Sequence, residues 1–169
     1  MLFVTPSLNF WQRTHESILC CSKEKPHFNR DDVREPYTDG YLKNAAGKIR
    51  KPTKGRFSNG TKETVYTAHA NGALPRDVIK ISALAGGAGK KERVNHPTQK
   101  PLEVILWCLN ITDSLKNIFD PFLGSGSTLI ACEKTNRICY GMELDTKYCD
   151  VIIERWEQFT GQKANKITE

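Results

Sequence analysis

The sequence predicts an α/β protein with a parallel sheet, and the order of its elements between residues 101 and 161 carries this prediction. Helix, strand, helix, strand and helix alternate there, an order typical of βαβ units, whose consecutive strands run parallel. A glycine-containing turn connects the first strand to the following helix. The chain has 169 residues, 38% of them hydrophobic, which is enough to bury a core.

The first of these helices is predicted to begin at Pro101, because proline is tolerated in the first turn of a helix. Four apolar side chains recur on one helical face of this segment: Leu102, Ile105, Leu106 and Leu109. The apolar segment 116–120 predicts the first strand. Residues 125–135 are predicted to form the second helix, which the chain enters through glycines.

The second strand is predicted over residues 137–144, and the last helix follows it. Asp145 is a suitable N-cap for this helix, and Gly161 stands where a glycine commonly ends one. Four apolar residues recur there at helical spacing, which predicts a face that packs on the core: Tyr148, Ile152, Trp156 and Phe159.

Upstream of these elements the pattern is weaker. Residues 17–22 form a short apolar run bounded by charge, which predicts a buried strand. Residues 23–95 show little periodicity, which predicts a long irregular segment with short strands. Part of it, 40–95, is basic: residues 43–100 hold 13 Lys or Arg and 3 acids, whereas the rest of the chain holds 12 and 16. Such a stretch is typical of a protein that binds a phosphate backbone, although a solvated loop can have the same composition.

Nothing in the sequence predicts a membrane span, a secretion signal or a metal site. No apolar run approaches the ~20 residues of a membrane helix, and the N-terminus has no basic start. The six cysteines form no CxxC pair and the four histidines are scattered. We therefore interpret the cysteines as small core residues and expect a cytoplasmic protein.

The turn after the first predicted strand reads DPFLGSGST, from Asp120 to Thr128. Glycines in such a turn let the backbone bend sharply and approach a ligand. The second strand ends in GMELD, whose Glu143 can accept both hydroxyls of a ribose. The two elements predict a nucleoside-containing cofactor on a Rossmann-like sheet, and the alternative is a tight turn without a ligand.

The acid at the strand end distinguishes between two such cofactors. A dinucleotide motif has a third glycine where this sequence has Leu129, and it rests a pyrophosphate on the helix N-terminus. Asp120 would repel a pyrophosphate, but it would attract the ammonium and sulfonium groups of S-adenosylmethionine. The sequence therefore favours S-adenosylmethionine over NAD.

Three motifs in a fixed order resemble the DNA amino-methyltransferases that act on cytosine N4 or adenine N6. HPTQKP at 96–101 resembles the tenth motif of that family, DPFLGSGST its first, and GMELDTKYCDVIIERW at 141–156 its second with the following helix. The order is that of the permuted class, in which the target-amine motif precedes the cofactor motifs. The resemblance is close over residues 93–160 and looser upstream, at 11–23 and 28–37.

The resemblance implies a Rossmann-like S-adenosylmethionine-dependent methyltransferase fold in a single domain over residues 1–169. Its cofactor-binding βαβ core lies at 96–160, and 40–95 would supply DNA-facing loops. The implied cofactor-binding residues are Thr98, Lys100, Asp120, Phe122, Gly124, Gly126, Thr128 and Glu143. Asp120 would face the methionyl amino end, Glu143 the ribose, and Thr98 and Lys100 the methionine moiety from the other side; His96 is interpreted as structural.

The family holds the flipped target base with an Asp/Asn/Ser-Pro-Pro-aromatic motif, and this sequence contains none. Glu35-Pro36-Tyr37 has one proline too few. We therefore expect the C-terminal portion of an N-terminally truncated enzyme, with no catalytic residue that can be named.

The predicted function is site-specific methylation of double-stranded DNA, at adenine N6 rather than cytosine N4, with S-adenosylmethionine as donor. A separate chain that carries the missing target-amine motif is a further predicted partner, beside double-stranded DNA. The alternatives are an inactive remnant that binds S-adenosylmethionine or DNA, an NAD-type Rossmann protein, and a methyltransferase acting on RNA or protein.

Overall fold

A computed structural model describes residues 15–53, 60, 62–84, 91–112 and 115–167. The chain divides into two compact units. The smaller consists of residues 29–79, and the larger of residues 1–28 together with 80–169. The single domain over 1–169 stays a prediction.

The smaller unit contains one short helix and one short hairpin. Helix α1 spans Asp39–Asn44, and the Thr38 hydroxyl caps it by accepting a hydrogen bond from the Tyr41 N–H at 3.2 Å. Strands β1 (Ile49–Arg50) and β2 (Thr64–Val65) pair antiparallel. The prediction of a long irregular segment with short strands is confirmed for the described residues.

The larger unit contains the predicted alternation of helices and strands. Helix α2 (Leu102–Ile111) is followed by β3 (Asn117–Asp120), α3 (Ser127–Lys134), β4 (Ile138–Gly141) and α4 (Thr146–Thr160). Strands β3 and β4 are parallel, with Asn117 opposite Ile138 and Asp120 opposite Gly141. The predicted βαβ unit is therefore confirmed, although β4 is shorter than the predicted strand over 137–144.

The core of this unit lies between α2, α3 and one face of the sheet. Leu109, Ala131 and Cys132 are buried in it. Five partly buried apolar side chains pack against them: Leu102, Ile105, Leu106, Ile118 and Cys139. The apolar face predicted for α2 thus provides four of these eight core residues. On the other face of the sheet Phe119, Ile138 and Tyr140 are exposed.

Helix α4 begins and ends where the sequence predicts. The Asp145 carboxylate accepts a hydrogen bond from the Lys147 N–H at 2.9 Å, which satisfies one of the free donors at the helix start. Gly161 has a left-handed φ of 71°, a conformation that glycine adopts without strain. On the predicted apolar face only Ile152 is buried, and Phe159 stays 46% exposed.

The strand predicted at 17–22 is wrong. Residues 15–22 have no regular secondary structure, and Ile18 and Leu19 are 56% and 86% exposed. An apolar run forms a strand only where a neighbour supplies backbone partners, and among the described residues the parallel sheet consists of β3 and β4 alone. No helix in the described part of the chain is long and apolar enough to cross a membrane.

The cysteines differ in burial, so their interpretation as core residues is only partly right. Cys20 and Cys21 are exposed, whereas Cys132 is buried. Burial raises the pKa of the half-buried Cys139 thiol to about 12, beside Cys132, whose pKa is also raised by burial. The thiolate is the reactive form of cysteine, so the two pairs should differ in reactivity.

We expect a maleimide to label Cys20 and Cys21 rapidly in the native protein and Cys139 far more slowly. Timed labelling followed by peptide mass spectrometry measures the rates, and labelling in denaturant, where all should react alike, is the control. Equal native rates at Cys20 and Cys139 would contradict the burial described above.

Candidate functional site

The candidate site lies where the two parallel strands end. Because the strands run in the same direction, their carboxyl ends meet at one edge of the sheet, where open α/β sheets commonly bind ligands. Asp120 and Gly141 are opposite each other at this edge. The backbone continues the pairing beyond it, since the Met142 N–H donates to the Asp120 carbonyl and the Leu123 N–H to the Met142 carbonyl, both at 2.9 Å.

The Asp120 carboxylate fixes the beginning of the turn. One oxygen accepts a hydrogen bond from the Phe122 N–H at 3.0 Å, and the other accepts one from the Thr128 hydroxyl at 2.6 Å. The same side chain thus joins the end of β3 to the first turn of α3. Asp120, Phe122 and Thr128, all predicted as site residues, lie together, although the Phe122 side chain is 86% exposed.

Two glycines give the turn its shape. Gly124 and Gly126 have φ values of 55° and 76°, in the left-handed region that other residues adopt only with strain. Gly126 precedes α3 as its N-cap. There is little free space at Gly124, because a Cβ added there would lie 3.3 Å from His96 Nε2.

The Glu143 carboxylate binds the turn from the neighbouring strand end. It accepts hydrogen bonds from three backbone N–H groups: Gly124 at 2.7 Å, Leu144 at 3.0 Å and Asp145 at 3.0 Å. These hydrogen bonds, with that of Asp145 contributing most, lower the pKa of Glu143 below its ordinary value of 4.5. The carboxylate is therefore ionised at neutral pH and held against Gly124.

We expect this lowered pKa to give the fold a pH dependence. A carboxyl whose pKa is lower in the folded state stabilises the fold above its unfolded pKa and loses that contribution as the pH falls toward the folded value. Glu143→Gln cannot titrate, so the melting-temperature gap between wild type and this variant should narrow below about pH 4.5. Thermal denaturation between pH 7 and pH 3 measures this difference in melting temperature. A difference that stays constant over this range would contradict the lowered pKa of Glu143.

The segment HPTQKP lies against the turn through His96. Its ring packs on Tyr148 with centroids 4.4 Å apart, and its Nδ1 accepts a hydrogen bond from the Thr98 N–H at 3.2 Å. Burial lowers the pKa of His96, and the nearby Glu143 charge partly opposes this effect, so the ring is neutral at pH 7. Thr98 is joined to this histidine, which lies against Gly124 of the turn.

Lys100 is connected to the turn by its backbone and to an upstream residue by its side chain. Its carbonyl accepts a hydrogen bond from the Ser127 hydroxyl at 3.0 Å. Its ammonium group lies 2.8 Å from a Glu16 carboxylate oxygen, which raises the pKa of Lys100 and lowers that of Glu16. The structure therefore places all eight predicted site residues in one region of the larger unit.

The sequence reasoning missed a polar network behind the turn. The Arg155 guanidinium donates to the Ser125 carbonyl at 2.9 Å and to the Ser127 hydroxyl at 3.2 Å, and it pairs with Glu92 at 3.6 Å. The Gln99 side chain accepts from the Val94 N–H and donates to the Glu92 carbonyl, both at 2.8 Å. An arginine one helical turn beyond the buried Ile152 was the available signal, because it predicts a cation that faces inward.

The arrangement can bind a ligand that carries hydrogen-bond donors or positive charge. A carboxylate has about four lone-pair positions. Asp120 uses two of them for the contacts above and Glu143 uses three. Both side chains therefore keep acceptor capacity at the strand ends, which fits a cofactor with an ammonium group and a ribose. In the described part of the chain no cluster of His, Cys, Asp or Glu could hold a metal ion.

Comparison with known proteins gives a DNA methylase family model and, by sequence similarity, Type II methyltransferases. Residues 4–154 match the family model N6_N4_Mtase, described as DNA methylase. The Type II methyltransferase M1.MboII of Moraxella bovis is 31% identical over 139 residues, which are 79% of this chain and 50% of that protein. The Type II methyltransferase M.ScaI of Streptomyces caespitosus is 28% identical over 136 residues, 78% of this chain and 38% of that protein.

Among solved structures, one described as the crystal structure of an M1.HpyAVI–SAM complex aligns with 38% of this chain and 32% of that chain, at 35% identity and a TM-score of 0.36. The chain spans half or less of the length of the two Type II methyltransferases. Its own family is nevertheless clear, because the family model covers most of the 169 residues. The chain belongs to the N6/N4 family of DNA methylases.

Proposed function

We propose that the turn between β3 and α3 binds S-adenosylmethionine, and that the complete protein uses it to methylate an exocyclic base amine in double-stranded DNA. The single observation that carries this proposal is the placement of Asp120 and Glu143. The two carboxylates lie at adjacent parallel strand ends on either side of a glycine turn, in a chain of the DNA methylase family.

The roles of the two acids follow from their charge and remaining acceptor positions. S-adenosylmethionine, when bound, supplies an activated methyl group on a sulfonium centre. Asp120 attracts the positive charge of its methionine end, and Glu143 accepts a hydrogen bond from a ribose hydroxyl at its remaining acceptor position. Glu143 is already oriented by three backbone N–H groups, so little reorientation is needed on binding.

The other predicted residues shape or flank this site. Gly124, Gly126 and Thr128 form the turn, and Phe122 lies beside it. Thr98 and Lys100 approach the methionine end from the HPTQKP segment, which His96 and Ser127 hold in place.

We further propose that the motif that binds the target base is supplied by polypeptide outside these 169 residues, in the permuted order and on the same or a separate chain. Two observations support this: the chain matches only 50% and 38% of the length of two relatives, and the sheet face of Phe119, Ile138 and Tyr140 is exposed, whereas parallel sheets are normally covered on both faces. Adenine N6 is the proposed target and the cytoplasm the proposed location. The second candidate is an inactive remnant that binds S-adenosylmethionine or DNA.

A methyl-transfer assay tests whether the base-binding motif lies outside these 169 residues. We expect the 169-residue chain to bind S-adenosylmethionine but to transfer little or no labelled methyl to double-stranded DNA, because it lacks the groups that would hold the flipped base. Equilibrium dialysis and a filter assay with labelled cofactor measure the two steps. Efficient transfer by this chain alone would contradict the proposal for the base-binding motif.

The basic segment is proposed to contact DNA phosphates through the hairpin of β1 and β2. Lys48, Arg50, Lys51 and Lys62 lie on or beside it, and all except the half-buried Arg50 are exposed. Each phosphate contact releases counterions, so the affinity for DNA should fall steeply as salt rises. Replacing Lys48 and Lys62 with Gln should flatten the salt slope by about two.

Fluorescence anisotropy with a labelled duplex at several salt concentrations measures this slope. Lys116→Gln with Lys166→Gln is the matched control, since it removes the same charge from exposed positions of the larger unit. If the hairpin variant has the same salt slope as the wild type, the hairpin lysines do not contact DNA phosphates, and the basic segment is better interpreted as a solvated loop.

A further inference from the structure

Arg155 connects the two parts of the proposed cofactor site that come from different regions of the sequence. It stands on α4, 30 residues from Ser125, and its guanidinium donates to the Ser125 carbonyl and the Ser127 hydroxyl. The same Ser127 hydroxyl donates to the Lys100 carbonyl. One side chain therefore contacts the glycine turn directly and the HPTQKP segment through a single intervening hydroxyl.

The second terminal nitrogen of the guanidinium pairs with an acid that lies four residues before HPTQKP. Its Nη2 lies 3.6 Å from a Glu92 carboxylate oxygen, and that oxygen also accepts a hydrogen bond from the Leu102 N–H at 2.7 Å. Glu92 thus satisfies a free donor at the start of α2 while it pairs with Arg155. Arg155 therefore pairs with an acid that precedes HPTQKP and binds the first residue of the helix that follows it.

The contacts are shielded from water. The Arg155 side chain is 11% exposed, and Ser125, Ser127 and Gln99 are buried at 4%, 5% and 7% exposure. Polar groups in such places must have partners, because an unpaired buried donor or acceptor is costly. No buried side-chain N or O atom among the described residues lacks a hydrogen-bond partner, so every buried atom of the network is satisfied.

We propose that Arg155 is a positioning residue for the cofactor site, which holds the glycine turn and the HPTQKP segment in the arrangement that binds the methyl donor. The inference rests on the proposed function, because the ligand is the one proposed there. A planar guanidinium suits this role, since it can donate hydrogen bonds to the turn and form an ion pair with Glu92 at the same time. A site held in its binding geometry before the ligand arrives loses less free energy on binding.

The test compares two arginines that are both structural but lie at opposite ends of the sheet. Arg137 precedes β4 and donates to the Leu109 and Leu115 carbonyls at 2.8 and 3.0 Å. Arg155→Met and Arg137→Met each remove a guanidinium that binds backbone carbonyls, and only the first touches the candidate site. Arg155→Lys is the third variant, because it keeps the charge and can satisfy only part of the network.

Two measurements are made on the full 169-residue chain, at a temperature where circular dichroism shows the variants folded. Amide hydrogen exchange of residues 124–128 reports opening of the turn without any ligand. Titration calorimetry with S-adenosylmethionine reports the dissociation constant. In Arg155→Met we expect about tenfold faster exchange in the turn and about tenfold weaker binding, with Arg155→Lys intermediate. Arg137→Met should stay within about twofold of the wild type in both, although its melting temperature falls.

The inference is overturned if Arg155→Met leaves both the exchange of the turn and the affinity unchanged. It is also overturned if Arg137→Met, at a similar loss of melting temperature, speeds the exchange and weakens the binding as much as Arg155→Met does. Where Arg155→Met does not fold, Arg155→Lys decides, and wild-type exchange and affinity in that variant would equally overturn it. A wild-type chain that binds no S-adenosylmethionine contradicts the proposed function instead. The exchange measurement then still tests whether Arg155 holds the glycine turn in place.

Discussion

Replacing Asp120 with Ala is expected to weaken S-adenosylmethionine binding by roughly 10- to 150-fold. A hydrogen bond to a charged group contributes about 1.5–3 kcal/mol, and 1.4 kcal/mol corresponds to a factor of ten in affinity. Asp120 also holds the Phe122 N–H and the Thr128 hydroxyl, so its loss loosens the turn as well as removing the charge. Titration calorimetry on the purified chain measures the change.

Three further variants separate the charge of Asp120 from its hydrogen bonds. Asp120→Asn keeps the size of the side chain and an oxygen acceptor but removes the charge, so it should bind nearly as weakly as the alanine variant. Thr128→Val removes one donor to the carboxylate and should have the smaller effect. Asp150→Ala removes an exposed carboxylate from α4 and should bind as the wild type does. Wild-type affinity in Asp120→Asn would show that the charge does not attract the cofactor.

Replacing Glu143 with Ala is expected to weaken S-adenosylmethionine binding by at least tenfold. The change removes the proposed acceptor for the ribose, and it leaves the N–H groups of Gly124, Leu144 and Asp145 without their carboxylate partner. Both consequences act on the same edge of the sheet. Adenosine, which has the ribose but lacks the methionine moiety, should lose affinity in this variant as well.

The response to adenosine distinguishes the two acids. Asp120→Ala should weaken S-adenosylmethionine more than adenosine, because the proposed contact is with the cationic end that adenosine lacks. Glu143→Ala should weaken both. Glu154→Ala, which removes an exposed carboxylate that accepts a hydrogen bond from Gln158 on the same helix, is the control. The opposite pattern of losses would exchange the roles assigned to the two residues.

The elements around the site could be predicted from the sequence because local signals agree there. The strand ending at Asp120, the glycines at 124 and 126 and the capping residue Asp145 each have a backbone requirement that few residue types meet. These requirements fall in the order of a βαβ unit, so they also predict the parallel pairing of β3 with β4. The pairing brings Asp120 and the end of β4 to the same edge of the sheet, and the hydrogen bond from the Gly124 N–H then holds Glu143 against the turn.

Other parts of the fold depended on partners that periodicity does not show. The run at 17–22 has the composition of a buried strand, but a strand also needs a neighbour, and the described residues provide none for it. The sequence predicts one strand over residues 137–144, whereas β4 ends at Gly141, its backbone hydrogen bonds to the neighbouring segment end at Met142, and Leu144 is 98% exposed. Strand ends are set by the length of the partner, which apolar spacing does not reveal.

The network of Arg155, Glu92 and Gln99 was hidden for a related reason. Glu92 and Arg155 are 63 positions apart in the sequence, and neither belongs to a motif whose spacing indicates a contact. Only the fold brings them together behind the turn, where burial makes each hydrogen bond matter. The glycine turn was predicted from its own residues, but the groups that hold it rigid were not.

A crystal structure of the chain with S-adenosylmethionine tests the central claim most directly. We expect the donor at the carboxyl ends of β3 and β4, with Glu143 within hydrogen-bond distance of a ribose hydroxyl and Asp120 facing the methionyl ammonium. A donor bound elsewhere, or one at this edge with Glu143 contacting only backbone N–H groups, would contradict it.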